Sequence, residues 1–407
     1  MKIPKSTVHI LIGIEALLLL IVVFISILSP APKADDFTYV NGGNVIKEEN
    51  TEENTEGQDI VQPEPLVFSQ EVQDKVAGMT LEQKVAQLFV TTPETLTNMR
   101  QVTATGDTTR NAMRAIPVGG LVYSSLNFEG AIQTADMTRI LQEYCKTELG
   151  TPLFTMVSEA GGENGSSLAV NNGFEVQMSA SEIGATGDAG QAANKAKNIA
   201  DYMKNQGLNT NMGLWGDLSA GVNPEYDVNT FSSDADVAAS MMTASVRAYE
   251  EAGVVTAVTM LPGESAGNSM DKTLEDWQNA DALVYKAAVF AGVDIMVVSN
   301  GYAPALTSEP QVHCCMSADV VNYIRSKMNY QGILMTDALT EAPIRDAYSV
   351  SDAVIGAINA GMDMVYCPTD LQTAYQAVVD AVNAGTISIE TIDTAVMRIL
   401  TCKNEKL

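Results

Sequence analysis

Eight short apolar runs lie between residues 88 and 366, most of them separated by segments with a helical pattern. They are Leu88-Phe89-Val90, Gly119–Tyr123, Pro152–Val157, Leu208–Met212, Val254–Leu261, Val293–Val298, Gly332–Thr336 and Met362–Tyr366. Short apolar runs of this kind read as strands covered on both faces. The stretches between them, such as Ala192–Gln206 and Ala235–Gly253, are rich in Ala, Met, Lys and Gln. Strand and helix in alternation predict a parallel sheet. Eight is the strand count of a (β/α)8 barrel, the fold expected for residues 67–407. An open doubly wound sheet is the structural rival. Its dinucleotide-binding form lacks support, because no Gly-x-Gly-x-x-Gly follows an early strand.

The seventh run, Gly332-Ile-Leu-Met-Thr-Asp337, delivers a carboxylate at its C-terminal end. In a barrel that end faces the site, where a carboxylate can attack a sugar carbon. The alternative is an Asp that caps the next helix. Two helices have readable boundaries. Thr80 and Gln83 form a capping-box pattern ahead of Leu81, Val85 and Leu88. Ile387–Cys402 reads as a closing helix with Ile389, Ile392, Val396 and Ile399 on one face.

The N-terminal part is different in kind. Lys2 and Lys5 precede an apolar run from Val8 to Leu28, which is 21 residues. At ~1.5 Å per residue this crosses a hydrocarbon core of about 30 Å. The positive flank comes first, so residues 1–29 are expected to anchor the chain with the rest outside the cytoplasm. A cleaved signal peptide is the rival, which would make the protein secreted. Its apolar region is shorter, about 7–15 residues, and Pro30-Ala-Pro-Lys-Ala34 is a poor cleavage site. No cysteine follows the run, so a lipid anchor is not expected. Residues 30–66 carry Glu48, Glu49, Glu52, Glu53 and Glu56 with few apolar side chains, the composition of an unfolded acidic linker.

A formal net charge of −27 with only 23 Lys and Arg argues against nucleic acid and against anionic lipid headgroups. The five cysteines, Cys145, Cys314, Cys315, Cys367 and Cys402, show no metal-ligand spacing and read as small apolar packing residues. Neither a metal nor a cofactor is expected.

The strand ends carry recognisable motifs. Met79-Thr-Leu-Glu-Gln-Lys-Val85, Gly119-Gly-Leu-Val-Tyr123, Leu261-Pro-Gly263, Thr336-Asp-Ala-Leu339 and Ala360-Gly-Met-Asp-Met364 stand in a set order. In that order and spacing the chain resembles the N-terminal barrel of family 3 glycoside hydrolases. The single-barrel β-N-acetylhexosaminidases are the most similar members. The resemblance covers about residues 70–402. It implies retaining hydrolysis of β-linked N-acetylglucosamine in wall fragments, with Asp337 as nucleophile and Asp217 of Trp215-Gly-Asp-Leu218 supporting the site.

Other family positions have changed. Where the resemblance implies Asp-Gln-Glu-Gly-Gly, the chain has Ser158-Glu-Ala-Gly-Gly162. Asn229-Thr-Phe-Ser232 lacks the sugar-binding Arg. The Lys-His pair of the fifth strand has become Thr259-Met260. The proton-donating His of the following loop is absent, the nearest match being Met270-Asp271-Lys272. Only His9 and His313 exist, one in the apolar run and one beyond the sixth strand.

Retaining hydrolysis needs an attacking carboxylate and a second group that protonates the leaving oxygen. Asp337 can attack. Glu264, Asp271 and Glu275 are on the loop where the His should be, and Glu264 or Asp271 is the candidate acid. These acids also read as ordinary solvated charge on a very acidic surface. Asp217, Ser158, Asn229, Thr259 and Met260 are the candidate sugar-contacting positions, in a mouth lacking its usual cations. Two functions follow. One is a surface glycosidase of the hexosaminidase type. The other is a barrel of absent or weak activity that binds a glycan, such as a peptidoglycan fragment, or a surface protein. The number of replaced residues leans towards the second.

Overall fold

The computed structural model describes residues 67–221, 224–263 and 270–407, with a short antiparallel pairing of Val40–Asn41 and Asn44–Val45. That pairing belongs to a unit spanning Met1–Gln58, separate from the unit Asp59–Leu407. The expected anchor, most of the expected linker and Glu264 lie outside the described residues. Among the described residues no helix is long and apolar enough to cross a membrane.

Eight parallel strands build the larger unit. We number them β1 Phe89–Thr91, β2 Gly120–Tyr123, β3 Phe154–Val157, β4 Thr210–Trp215, β5 Val255–Leu261, β6 Ile295–Val298, β7 Ile333–Thr336 and β8 Val365–Tyr366. The order around the sheet is β8-β1-β2-β3-β4-β5-β6-β7. The ring is nearly closed. A single parallel bridge pairs Met335 of β7 with Met364, and the Thr336 N–H donates to the Met364 carbonyl at 3.1 Å. The architecture is that of a (β/α)8 barrel, and each strand falls on one of the eight apolar runs.

Burial explains why the runs are continuous. Every residue of β2, β3, β6 and β7 is buried, because the barrel interior covers one face and the helices cover the other. A close approach precedes β2, where a Cβ on Gly119 would lie 2.0 Å from the Gln87 carbonyl oxygen. Only glycine fits there.

Two strands carry an extra residue. The β4–β5 register slips between Asn211 and Leu214, and the β5–β6 register slips between Val258 and Leu261. Bulges of this kind re-aim side chains beside functional sites. β4 accordingly runs three residues past the apolar run that announced it. Its polar members are satisfied internally: Asn211 Oδ1 accepts from the Glu159 N–H at 3.0 Å and the Gly213 N–H at 2.9 Å.

The Thr80 capping box is present in full. The last helix spans Ile389–Lys406, starting and ending later than the stripe implied. Ile392, Val396 and Ile399 are buried, but Ile389 is 38% exposed, because the first residue of the helix lies beyond the packed turn. All five cysteines are buried and outside any disulfide. The N-terminal end of the barrel is closed by charge pairing: buried Asp363 receives Arg325 at 2.6 Å and Arg398 at 2.8 Å.

Candidate functional site

Asp337 follows β7 directly. Its N–H donates to the Val298 carbonyl at 2.9 Å, which ties it to the end of β6. Its Oδ1 accepts the Ala338 N–H at 2.7 Å, which orients the carboxylate. The side chain is half-buried. The helix-cap alternative fails, because the next helix, Ala342–Arg345, has Glu341 at its N-cap.

Asp217 lies three strands away around the ring, just past β4. It is 1% exposed and accepts the Tyr285 hydroxyl at 2.9 Å. The same hydroxyl stands 2.7 Å from the Met260 carbonyl oxygen. That carbonyl is presented by the β5 bulge, where Met260 has φ 71°. A side chain in the left-handed region costs of order 1–3 kcal/mol and is held there by its surroundings. A Cβ on Gly263 would lie 3.2 Å from Asp217 Oδ1 and 3.7 Å from Asp281 Oδ1. The two acids therefore flank this one glycine.

Asp281 has a cation as its partner. It is buried, and the Lys272 ammonium pairs with it. Lys272 itself is only partly covered. A second lysine, Lys195, ties down the loop after β3 by donating to the Ala160 carbonyl. Burial lowers the Lys195 pKa to about 8, opposed by the nearby Glu182 carboxylate.

The remaining candidates scatter by exposure. Ser158 is exposed at the end of β3, whereas its neighbour Glu159 is buried. Glu159 accepts from the Leu168 N–H at 2.6 Å and from the Tyr202 hydroxyl at 2.8 Å. Burial pushes its pKa up to about 7, against the lowering effect of those two donors. Asn229, Thr259 and Met260 are half-buried, and Asp271 and Glu275 are exposed. Thr259 donates to the Leu214 carbonyl at 3.3 Å across the β4–β5 pair.

His313 is buried in the loop after β6. Its Nδ1 is 2.5 Å from the Asn300 carbonyl oxygen and its Nε2 is 3.0 Å from the Tyr302 hydroxyl. A carbonyl only accepts, so Nδ1 carries the proton and Nε2 accepts from Tyr302. Burial lowers the His313 pKa, opposed by the Asn300 hydrogen bond. The Asn300 side chain donates to the Ala338 carbonyl at 2.8 Å and to Glu341 Oε2 at 3.3 Å.

The profile of the "Glycosyl hydrolase family 3 N terminal domain" matches residues 80–402. The chain belongs to this family. Among curated family 3 relatives, it is 26% identical over 328 residues to "Beta-hexosaminidase A" of Pseudoalteromonas piscicida. It is 24% identical over 310 residues to "Beta-N-acetylglucosaminidase/beta-glucosidase" of Cellulomonas fimi. Each match takes in 71% of this chain and 53% of the relative, so the chain spans about half the length of those proteins. The barrel superposes on a family 3 β-N-acetylglucosaminidase of Paenibacillus sp. str. FPU-7 with TM-score 0.75 and 26% identity. That match covers 81% of this chain and 63% of the other. On M tuberculosis LpqI the TM-score is 0.69 at 22% identity, covering 83% and 97%, a likeness of fold.

Within this family 3 barrel, sequence reasoning missed the Lys272–Asp281 pair, together with the contacts of Tyr285, Asn300 and Glu341. Lys272 stood beside Asp271 in the loop motif, but nothing local pointed it at a buried acid. Glu341 stood four residues past Asp337, and no spacing rule singles it out.

Proposed function

We propose that this family 3 barrel hydrolyses β-linked N-acetylhexosaminides with retention, slowly, using Asp337 as nucleophile. The observation that carries the reading is Asp337 itself. It stands at the C-terminal end of β7, half-buried and oriented by the Ala338 N–H, and it caps no helix. That is where a barrel presents a reacting group. Relatives that carry hexosaminidase names support the substrate class. Lys272 supports charge balance opposite Asp217 and Asp281, where the family's own cations are replaced.

Slowness follows from the loss of the loop histidine, since general acid catalysis contributes ~10²–10⁴-fold. Asp217, Ser158, Asn229, Thr259 and Met260 border the sugar in this reading. A second reading, glycan binding without turnover, is favoured by Ser158 and Thr259-Met260 standing where charged sugar contacts are expected. The full-length chain assayed with an aryl N-acetyl-β-glucosaminide across pH 4–8 separates the two. Turnover that is lost in Asp337→Asn supports the hydrolase. Saturable glycan binding with no turnover sinks it.

A further inference from the structure

Glu341 occupies the N-cap of the short helix Ala342–Arg345, yet its side chain makes no capping hydrogen bond. Its carboxylate turns instead towards Asn300, with Oε2 3.3 Å from Nδ2. The same amide nitrogen holds the Ala338 carbonyl at 2.8 Å. One side chain thus ties Glu341 to the backbone beside the nucleophile. Ala338–Glu341 form a tight turn directly after Asp337, closed by the Glu341 N–H donating to the Ala338 carbonyl at 3.0 Å. Such a turn keeps its end Cα atoms within about 7 Å.

Tyr366 ends the adjacent β8. Burial is the main cause of its raised pKa, and the negative charges of Asp337 and Glu341 both add to it. Glu341 is exposed to water, whereas Asp337 is half-buried.

We propose that Glu341 is the acid/base catalyst of this site, in place of the missing loop histidine. The proposal rests on the retaining-hydrolase reading above. In the first step an Asp337 oxygen bonds to the anomeric carbon as the glycosidic C–O bond breaks. The Glu341 proton passes to the departing oxygen, leaving Glu341 as carboxylate. In the second step water attacks the same carbon and gives its proton to Glu341. Asp337 departs as carboxylate, and both groups return to their starting states. Retaining enzymes use two carboxyl groups about 5–5.5 Å apart, one attacking and one protonating, and Glu341 stands four positions from Asp337 on the same strand-end loop.

The test uses the full-length chain and two substrates. A 2,4-dinitrophenyl N-acetyl-β-glucosaminide has a leaving group that needs no proton, whereas an alkyl N-acetyl-β-glucosaminide does need one. Glu341→Gln should lose ~10²–10⁴-fold in kcat/KM on the alkyl glycoside and stay within a few fold of the parent on the dinitrophenyl one. In Glu341→Ala, added azide should restore turnover and yield the β-glycosyl azide. The residue is exposed, so thermal melts of both variants should match the parent. If Glu341→Gln equals the parent on the alkyl glycoside, the assignment fails while Asp337 stands. If the parent cleaves neither substrate, the assignment and the hydrolase reading fail together.

Discussion

The Tyr285 hydroxyl bridges two elements of the barrel mouth, standing 2.9 Å from Asp217 Oδ1 and 2.7 Å from the Met260 carbonyl oxygen. A bulge in β5 and an acid after β4 are thereby fixed by one phenol. Gly216 makes the fit possible, since a Cβ there would lie 2.1 Å from the Tyr285 ring. Tyr285→Phe should destabilise the barrel by about 1–3 kcal/mol, the usual effect of stripping a donor from buried acceptors. KM should rise as the mouth loosens. Urea unfolding read alongside steady-state kinetics checks both, and unchanged stability would remove Tyr285 from this role.

Lys272 and Asp281 make a second test. Asp281 is 2% exposed and Lys272 about a third exposed, so the pair is only partly screened. Lys272→Met should cost about 1–3 kcal/mol, less than a fully buried pair because solvent reaches one partner. Adding Asp281→Asn should recover part of that loss, since no uncompensated charge then remains. A double-mutant cycle with a coupling energy near zero would show that the pair is incidental.

Glu159 should make stability depend on pH. Its folded pKa of about 7 lies above the ordinary glutamate value. Below pH ~4.5 the side chain is protonated in both states and contributes no penalty. Between pH ~4.5 and 7 the unfolded chain releases the proton first, so the unfolded state binds fewer protons and stability falls as pH rises. The full loss above pH 7 is roughly 3 kcal/mol. Glu159→Gln keeps the shape without the charge. Its stability advantage over the parent should therefore grow from pH 5 to pH 8 in urea melts. A constant difference would mean that the carboxylate titrates normally.

The apolar run from Val8 to Leu28 makes a prediction that stands apart from the barrel. Fractionation of intact cells should recover the full-length chain in the membrane pellet, and detergent should release it. A soluble chain beginning near Asp35 would instead identify the run as a cleaved signal.

The barrel was legible because its strands are covered on both faces, which forces continuous apolar runs such as Ile333-Leu-Met-Thr336. The motif at Thr336-Asp337 was legible for the same reason, since it follows directly on such a run. The β4 boundary was not. Its outer half, Gly213-Leu-Trp215, belongs to a bulged strand whose register depends on β5. The last helix kept its buried stripe but not its first residue. Ile389 is exposed there, because propensity and periodicity do not report where packing begins.

Local order in the chain determined the fold, the family and the placing of Asp337 at the end of β7, because each is written in residues close together in sequence. Tertiary structure decided which side chains meet at the ends of the strands. Lys272 reaches Asp281 across nine positions, Tyr285 reaches Asp217 across 68, and Asn300 reaches Glu341 across 41. Side-chain partners at such separations are chosen by strand order, bulges and burial, all of which exist only once the ring has closed.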